Sequence, residues 1–246
     1  MTTPRNTRRT RGIVWAIVGG VVLLIGILAI IVASLFSGGE TPPPSETTPP
    51  DSTPTTEPTE PTTDEFVDAS VAEKGWVPEP ITTDAEAYVQ AALAAASTFD
   101  TQLSTRAEWL TYLDTWFTPD IRYTSEEDRA SDMQASQLEL RQSVVLPEAE
   151  WDSLANEDGR VTAAVTGDVE FAEVPDDASG DMSIGTADVV LTYTRSDGNG
   201  GETSYDDTVR VSVQVLCGEG SVPTPDTTQQ EGDCKVVRYF SGSLEP

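Results

Sequence analysis

The side chains able to do chemistry in this 246-residue chain are carboxylates, phenols and a single pair of thiols. Histidine is absent, which removes the usual general base near neutral pH, the usual zinc ligand and every nucleophile that depends on imidazole. An aspartate base beside a tyrosine donor is the acid–base pairing that remains. Six tyrosines among 42 acidic residues make such a pair easy to assemble by chance, so no catalytic residue is assigned and no cofactor is expected. Tyr88, Tyr193 and Tyr239 share their faces with apolar residues and read as packing residues with a satisfied hydroxyl.

Cation and phosphate sites fare no better. Asp176, Asp177 and Asp181 sit in an acidic, glycine-containing stretch that reads as a solvated loop. Asp197-Gly198-Asn199-Gly200-Gly201 has the spacing of a calcium loop, but Thr208 stands where the closing glutamate belongs. A hairpin turn explains it, because glycine and asparagine accept the positive φ of such turns. No glycine run leads into Gly-Lys-Ser/Thr, so a phosphate cradle is excluded. Metal ligands are therefore expected to be absent. Cys217 and Cys234 lie at the end of one strand pattern and the start of the next. Outside the cell such a pair oxidises to a disulfide, and two cysteines without histidine make a poor zinc site. Trp109, Tyr112 and Trp116 form an aromatic group of the kind that dominates interface hot spots. Helical spacing favours the core for these rings, and Tyr112, on the flank, is the candidate to stay exposed.

The elements that must hold these residues fall in two blocks. Thr83-Asp84-Ala85-Glu86 reads as a capping box opening a helix with Tyr88, Ala91, Ala92, Ala95 and Phe99 on one face. Thr105-Arg106-Ala107-Glu108 opens a second with Trp109, Leu110, Leu113, Trp116 and Phe117, ended by Thr118-Pro119. Residues 125–140 form a weaker helical stretch. After Arg141 the period becomes two: residues 161–171, 188–194, 208–215 and 235–240 read as strands, and another is expected between Ser143 and Trp151, placed at an edge by Pro147. Helices first and antiparallel strands second argue for an α+β domain, two to three helices on a curved sheet, over residues 76–246.

Ahead of that domain the composition changes twice. The net charge of −28 is an average: before Glu40 the only charged residues are Arg5, Arg8, Arg9 and Arg11. Residues 13–36 are uncharged and apolar, long enough as a helix to cross a bilayer. The exit at Ala33-Ser34-Leu35-Phe36 lacks a small-x-small cleavage site, so the segment reads as an uncleaved anchor. Arg8, Arg9 and Arg11 place residues 1–12 in the cytoplasm, and Trp15 sits at the headgroup level. Residues 37–75 follow as a stalk; eight prolines and nine threonines in residues 40–63 leave nothing to bury and favour an extended, solvated chain. A single-pass plasma-membrane protein with an extracellular C-terminal domain is the expected topology. Its partners are then the lipid bilayer and other proteins, self-association included, while an outer domain so acidic is not expected to bind nucleic acid.

This layout resembles the cone-shaped nuclear-transport-factor-2-like, or cystatin-like, superfamily in a bitopic membrane form. The segment Ala91-Ala92-Leu93-Ala94-Ala95-Ala96-Ser97-Thr98-Phe99, then Glu108-Trp109-Leu110, Leu113 and Phe117-Thr118-Pro119, is similar to the helical opening of actinobacterial conjugative-transfer and secretion-scaffold proteins, relatives of the type IV secretion assembly factor. The sequence-level likeness covers about residues 84–119. It implies a non-enzymatic scaffold that oligomerises and contacts other channel components. Some cone domains are instead isomerases or small-ligand binders, and a deep cavity with a buried Asp–Tyr pair would identify that class. An alanine-rich chain whose only lysines are Lys74 and Lys235 points to a GC-rich genome.

Overall fold

A computed structural model describes residues 65–241. The anchor, Arg8, Arg9, Arg11 and Trp15 included, and residues 40–63 of the stalk lie outside the described residues. Among the described residues no helix is long and apolar enough to cross a membrane.

The described chain is already built into the fold upstream of Trp76. Phe66 and Pro80 form an antiparallel bridge, flanked by Val67 N–H donating to the Glu79 carbonyl and Ile81 N–H to that of Glu65. Between them lies a 3-10 turn, Ala69–Lys74, capped by Asp68 and ended by Gly75. Gly75 has φ +74, and a Cβ there would meet Asp100 Cβ at 2.7 Å, so this closure needs glycine. Residues 66–75, grouped by composition with the stalk, are thus built into the domain.

Helix α1, Ala85–Ala95, is capped by Asp84, whose carboxylate accepts the N–H groups of Glu86 and Ala87. The cap stands one residue later than the Thr83 box, since Asp84 itself has extended backbone and the shorter reach. Tyr88, Val89, Ala92, Leu93 and Ala95 are buried; Phe99 belongs instead to a short strand, β1, Phe99–Asp100. Helix α2, Arg106–Asp114, has the capping box of Thr105 and Glu108 with both bonds formed. It ends before Trp116, and residues 116–118 run as a bridge beside the last strand. Helix α3, Glu126–Glu139, is amphipathic but lies largely at the surface and passes into a π turn, Leu140–Val144, where Leu140 is buried.

The strand expected between Ser143 and Trp151 does not form. Pro147, with φ −57 and ψ 153, precedes helix α4, Glu148–Ala155. Proline at a helix entry, Glu148 and Glu150 in the first turn, and Trp151 and Leu154 three apart are helix-start chemistry that outweighs the edge-strand reading.

The remaining chain makes one antiparallel five-stranded sheet in the order β1-β2-β3-β4-β5, with β2 Arg160–Glu173, β3 Met182–Ser196, β4 Glu202–Leu216 and β5 Lys235–Ser241. Register shifts between Thr166 and Glu170 of β2 and between Gln214 and Val215 of β4 curve it. The second shift lets both Val236 and Tyr239 reach the main core although they are three apart. Helix α1 packs across β2, β3 and β4, and α3 with the π turn packs against β5. Beside β1, at one end of the sheet, Phe99 and Trp109 each stack on Trp151 with centroids 4.1 and 5.5 Å away. Gly185 of β3 lies under α1: a Cβ there would stand 2.6 Å from Val89 Cγ1. A smaller cluster, Val174, Met182, Ile184, Leu216 and Val237 with Ile121, forms a second apolar group. The architecture is α+β, helices on a curved antiparallel sheet, as the sequence predicts.

Candidate interaction site

Titratable groups converge in one interior place. Glu79, from the entering segment, and Lys235, the first residue of β5, are fully buried. Lys235 Nζ donates to Glu79 Oε1 at 2.9 Å, to the Thr115 carbonyl at 2.6 Å and to Thr224 Oγ1 at 2.9 Å. Tyr88 donates its hydroxyl to the same Glu79 oxygen at 2.7 Å. The Tyr112 hydroxyl accepts the Glu79 N–H at 3.0 Å and donates to the Val77 carbonyl at 2.7 Å. Burial pushes the Glu79 carboxyl above its ordinary range, against the pull of Lys235; burial also lowers Lys235, with Glu79 opposing. Tyr88 is raised well above the phenol range by burial and then by the Glu79 charge. With the ammonium protons of Lys235 engaged and Glu79, Tyr88 and Lys235 all buried, this cluster ties the entering segment, α1 and β5 together. Sequence reading misses it, because an acid and a base 156 positions apart leave no local pattern.

The aromatic candidates divide. Trp109 and Trp116 are fully buried and present no surface; Tyr112 is half-buried, stacked on Trp76 at 5.1 Å. A shallow hollow lined by Lys74, Trp76, Glu108 and Tyr112 lies beside it. Tyr88 and Tyr239 are core residues, the latter donating to the Ala92 carbonyl at 3.0 Å. Cys217 and Cys234 are joined as a disulfide. Asp197 accepts the N–H groups of Asn199 and Gly201 inside the β3–β4 turn, where Gly198 and Gly200 have positive φ. Asp177 likewise binds Ser179 and Met182 N–H. Among the described residues no group of three or more acidic or thiol ligands is placed to hold a metal.

What the fold leaves open lies at the other end of the concave face. A groove of about 490 Å³ runs between residues 142–147 and the strands, walled by Phe99, Val145, Leu146, Leu191, Val209 and Val211. A second hollow of about 230 Å³ shares Leu146 and Tyr193 with it and continues to Tyr205, Asp207 and Arg195. Tyr193 and Tyr205, cross-strand partners, stack at 4.9 Å. Tyr205 is half exposed and Asp207 exposed, so this is not the buried Asp–Tyr pair of an isomerase pocket. The opposite face of the same strands is polar, with Arg160 on Glu202, Arg210 on Glu170 and Asp188, and Thr192 on Asp206. β5 stops opposite Val211, which leaves residues 202–210 of β4 paired with β3 alone among the described residues.

No family model matches the chain, and no curated protein matches it. Solved structures similar to it include an IcmL-like type IV secretion system protein from Legionella pneumophila, at 13% identity over 64% of this chain and 88% of that one, with a TM-score of 0.36. Another is CagV, a VirB8 homolog of the type IV secretion system of Helicobacter pylori, at 13% identity over 56% of this chain and 82% of that one, with a TM-score of 0.29.

Proposed function

We propose that the chain is a non-enzymatic, single-pass membrane protein whose extracellular domain is a protein-interaction scaffold of a conjugative-transfer or secretion apparatus. The observation that carries this reading is the division of labour in the fold. Among the described residues the interior is filled by Tyr88, Trp109, Trp116, Trp151 and Tyr239, the Glu79–Lys235 pair is buried within it, and a strand edge and an apolar groove stay open. The basic tail, apolar span and Pro/Thr stretch of the sequence support the topology, and the resemblance over residues 84–119 supports the apparatus. Crosslinking of the full chain in its native membranes, followed by purification and mass spectrometry, tests it. Co-recovery of envelope-complex subunits together with a transfer ATPase is the expected result; a chain recovered without protein partners sinks the proposal. The groove, of a size that holds small ligands, keeps an extracytoplasmic ligand-binding domain as the second reading, which recovery of a tightly held small molecule with the partner-free chain would favour.

A further inference from the structure

Among the described residues the edge of β4 over residues 202–210 is unpaired on the side away from β3, and it forms one surface with the groove beneath it. Register pairs Val209 with Val189 and Tyr205 with Tyr193, so the odd-numbered residues of β4 face the concave side. Val209 and Val211 line the groove, and Tyr205 and Asp207 line the hollow that continues it. A strand laid along residues 202–210, in line with β5, would point alternate side chains into this channel. The edge already shows how its donors are managed: Thr208 N–H is taken by the Asp207 carboxylate at 2.8 Å. Charge blunts an unpaired edge until a partner arrives; an incoming strand that takes Thr208 N–H frees the Asp207 carboxylate for a cation.

Charge selects the occupant. Arg210 is held by Glu170 at 2.7 Å and Asp188 at 3.0 Å, and Arg195 by Glu157 at 3.0 Å. Both nearby cations are therefore spent, while Asp207 has no cation among the described residues. A second copy is a poor guest. The other long edge, β2 beyond Val161, carries Asp168, Glu170 and Glu173, and β4 against β4 would bring Asp207 near its own copy; like charges facing each other exclude partners.

We propose that residues 202–210 of β4 take up an extended segment of a protein partner by strand addition, with a Lys or Arg set between two apolar side chains at alternate positions. The basic group meets Asp207, one apolar side chain enters the groove at Val209, and the other covers Tyr205. Main-chain pairing supplies affinity and the alternate pockets supply selectivity. The inference rests on the scaffold reading and names the chemistry of one partner.

The test uses the full chain and a fluorescein-labelled peptide, Thr-Ser-Val-Thr-Lys-Thr-Val-Ser-Thr, followed by fluorescence anisotropy. Binding is expected, weakened about tenfold or more by N-methylating alternate amides in one of the two registers, which removes edge pairing while keeping the side chains. Asp207→Lys should weaken it by a similar factor, and a peptide with Glu in place of Lys should recover on that variant; Asp207→Asn, which keeps the side-chain shape, should fall between. Circular dichroism melts establish that each variant is folded. Equal binding of methylated and unmethylated peptides in both registers overturns the proposal, as does indifference to Asp207→Lys. Binding that emerges only after deletion of residues 242–246 overturns it in favour of self-capping, and a dimer dissolved by Asp207→Lys overturns it in favour of a second copy. A wild-type chain that recovers envelope-complex subunits yet ignores the peptide loses this inference and keeps the scaffold reading; one recovered without partners loses the scaffold reading itself.

Discussion

Glu79 and Lys235 make the sharpest residue-scale statement about stability. Two desolvated charges are held at 2.9 Å with only one carboxylate oxygen engaged; Glu79 Oε2 has no hydrogen-bond partner among the described residues. Removing one member of such a pair leaves an uncompensated buried charge and costs about 3–5 kcal/mol, whereas removing both charges is often neutral or stabilising. Lys235→Met is therefore expected to lose about 3–5 kcal/mol in urea denaturation, and Glu79→Gln with Lys235→Met to recover most of it. The pH dependence carries a sign. The Glu79 pKa is raised in the folded state, so the folded form holds the proton more tightly than the unfolded one. That contribution is fully present below the ordinary glutamate value of 4.5 and is lost as pH rises through the folded value. The stability of the parent chain relative to the double variant should fall across that window. A steady or rising difference would contradict the assignment.

At the scale of elements, legibility in the sequence followed the range of the signal. The Thr105 box, the β4 alternation and the 197–201 turn are encoded within a few residues, and each stands where the sequence puts it. Helix α4 departs from the expected edge strand because Pro147 suits both an edge strand and a helix entry, and the acidic first turn decides between them. Alternation along β4 puts Ser212 and Gln214 on the face opposite Val211, Val213 and Val215, and both are buried there, with Ser212 bonded to Thr186. Alternation reports which side a residue faces, and only tertiary packing reports what covers that side. The edge at residues 202–210 lies mostly ahead of the 208–215 strand pattern and, like the Glu79 cluster, emerges only from the fold. Gly185 is a third case, a glycine inside a strand that makes room for a side chain of the helix above it. Because a Cβ there would press on Val89 of α1, Gly185→Val should overpack the helix–sheet contact and cost about 1–3 kcal/mol. Thermal melts measure this, and paired Gly185→Val with Val89→Ala should regain part of it.

For the whole molecule, the disulfide governs the segment that closes over the ionic cluster. Residues 218–233 supply Thr224 and Gln229 to Lys235, and Ser221 accepts Gly232 N–H at 2.8 Å. Closing a loop of this length stabilises by about 3 kcal/mol through the unfolded state. Reduction should lower stability by about that amount, and amide exchange should rise first in residues 218–233. Uniform exchange across the domain would argue against a local role for the bond.

The bridge at Phe66 and Pro80 has a mechanical consequence. Glu65 and Ile81 lie side by side, so tension applied to the chain ahead of Glu65 meets the short paired base of residues 65–81 before it meets the sheet. Past that base the path runs from the Thr82 carbonyl to Cys234 N–H at 2.8 Å, and from Cys234 across sulfur to the end of β4. Under load the 65–81 loop would act as a slack that gives way early, and a covalent link behind it would pass the remaining force to the Leu216 end of β4, the far end of that strand from residues 202–210.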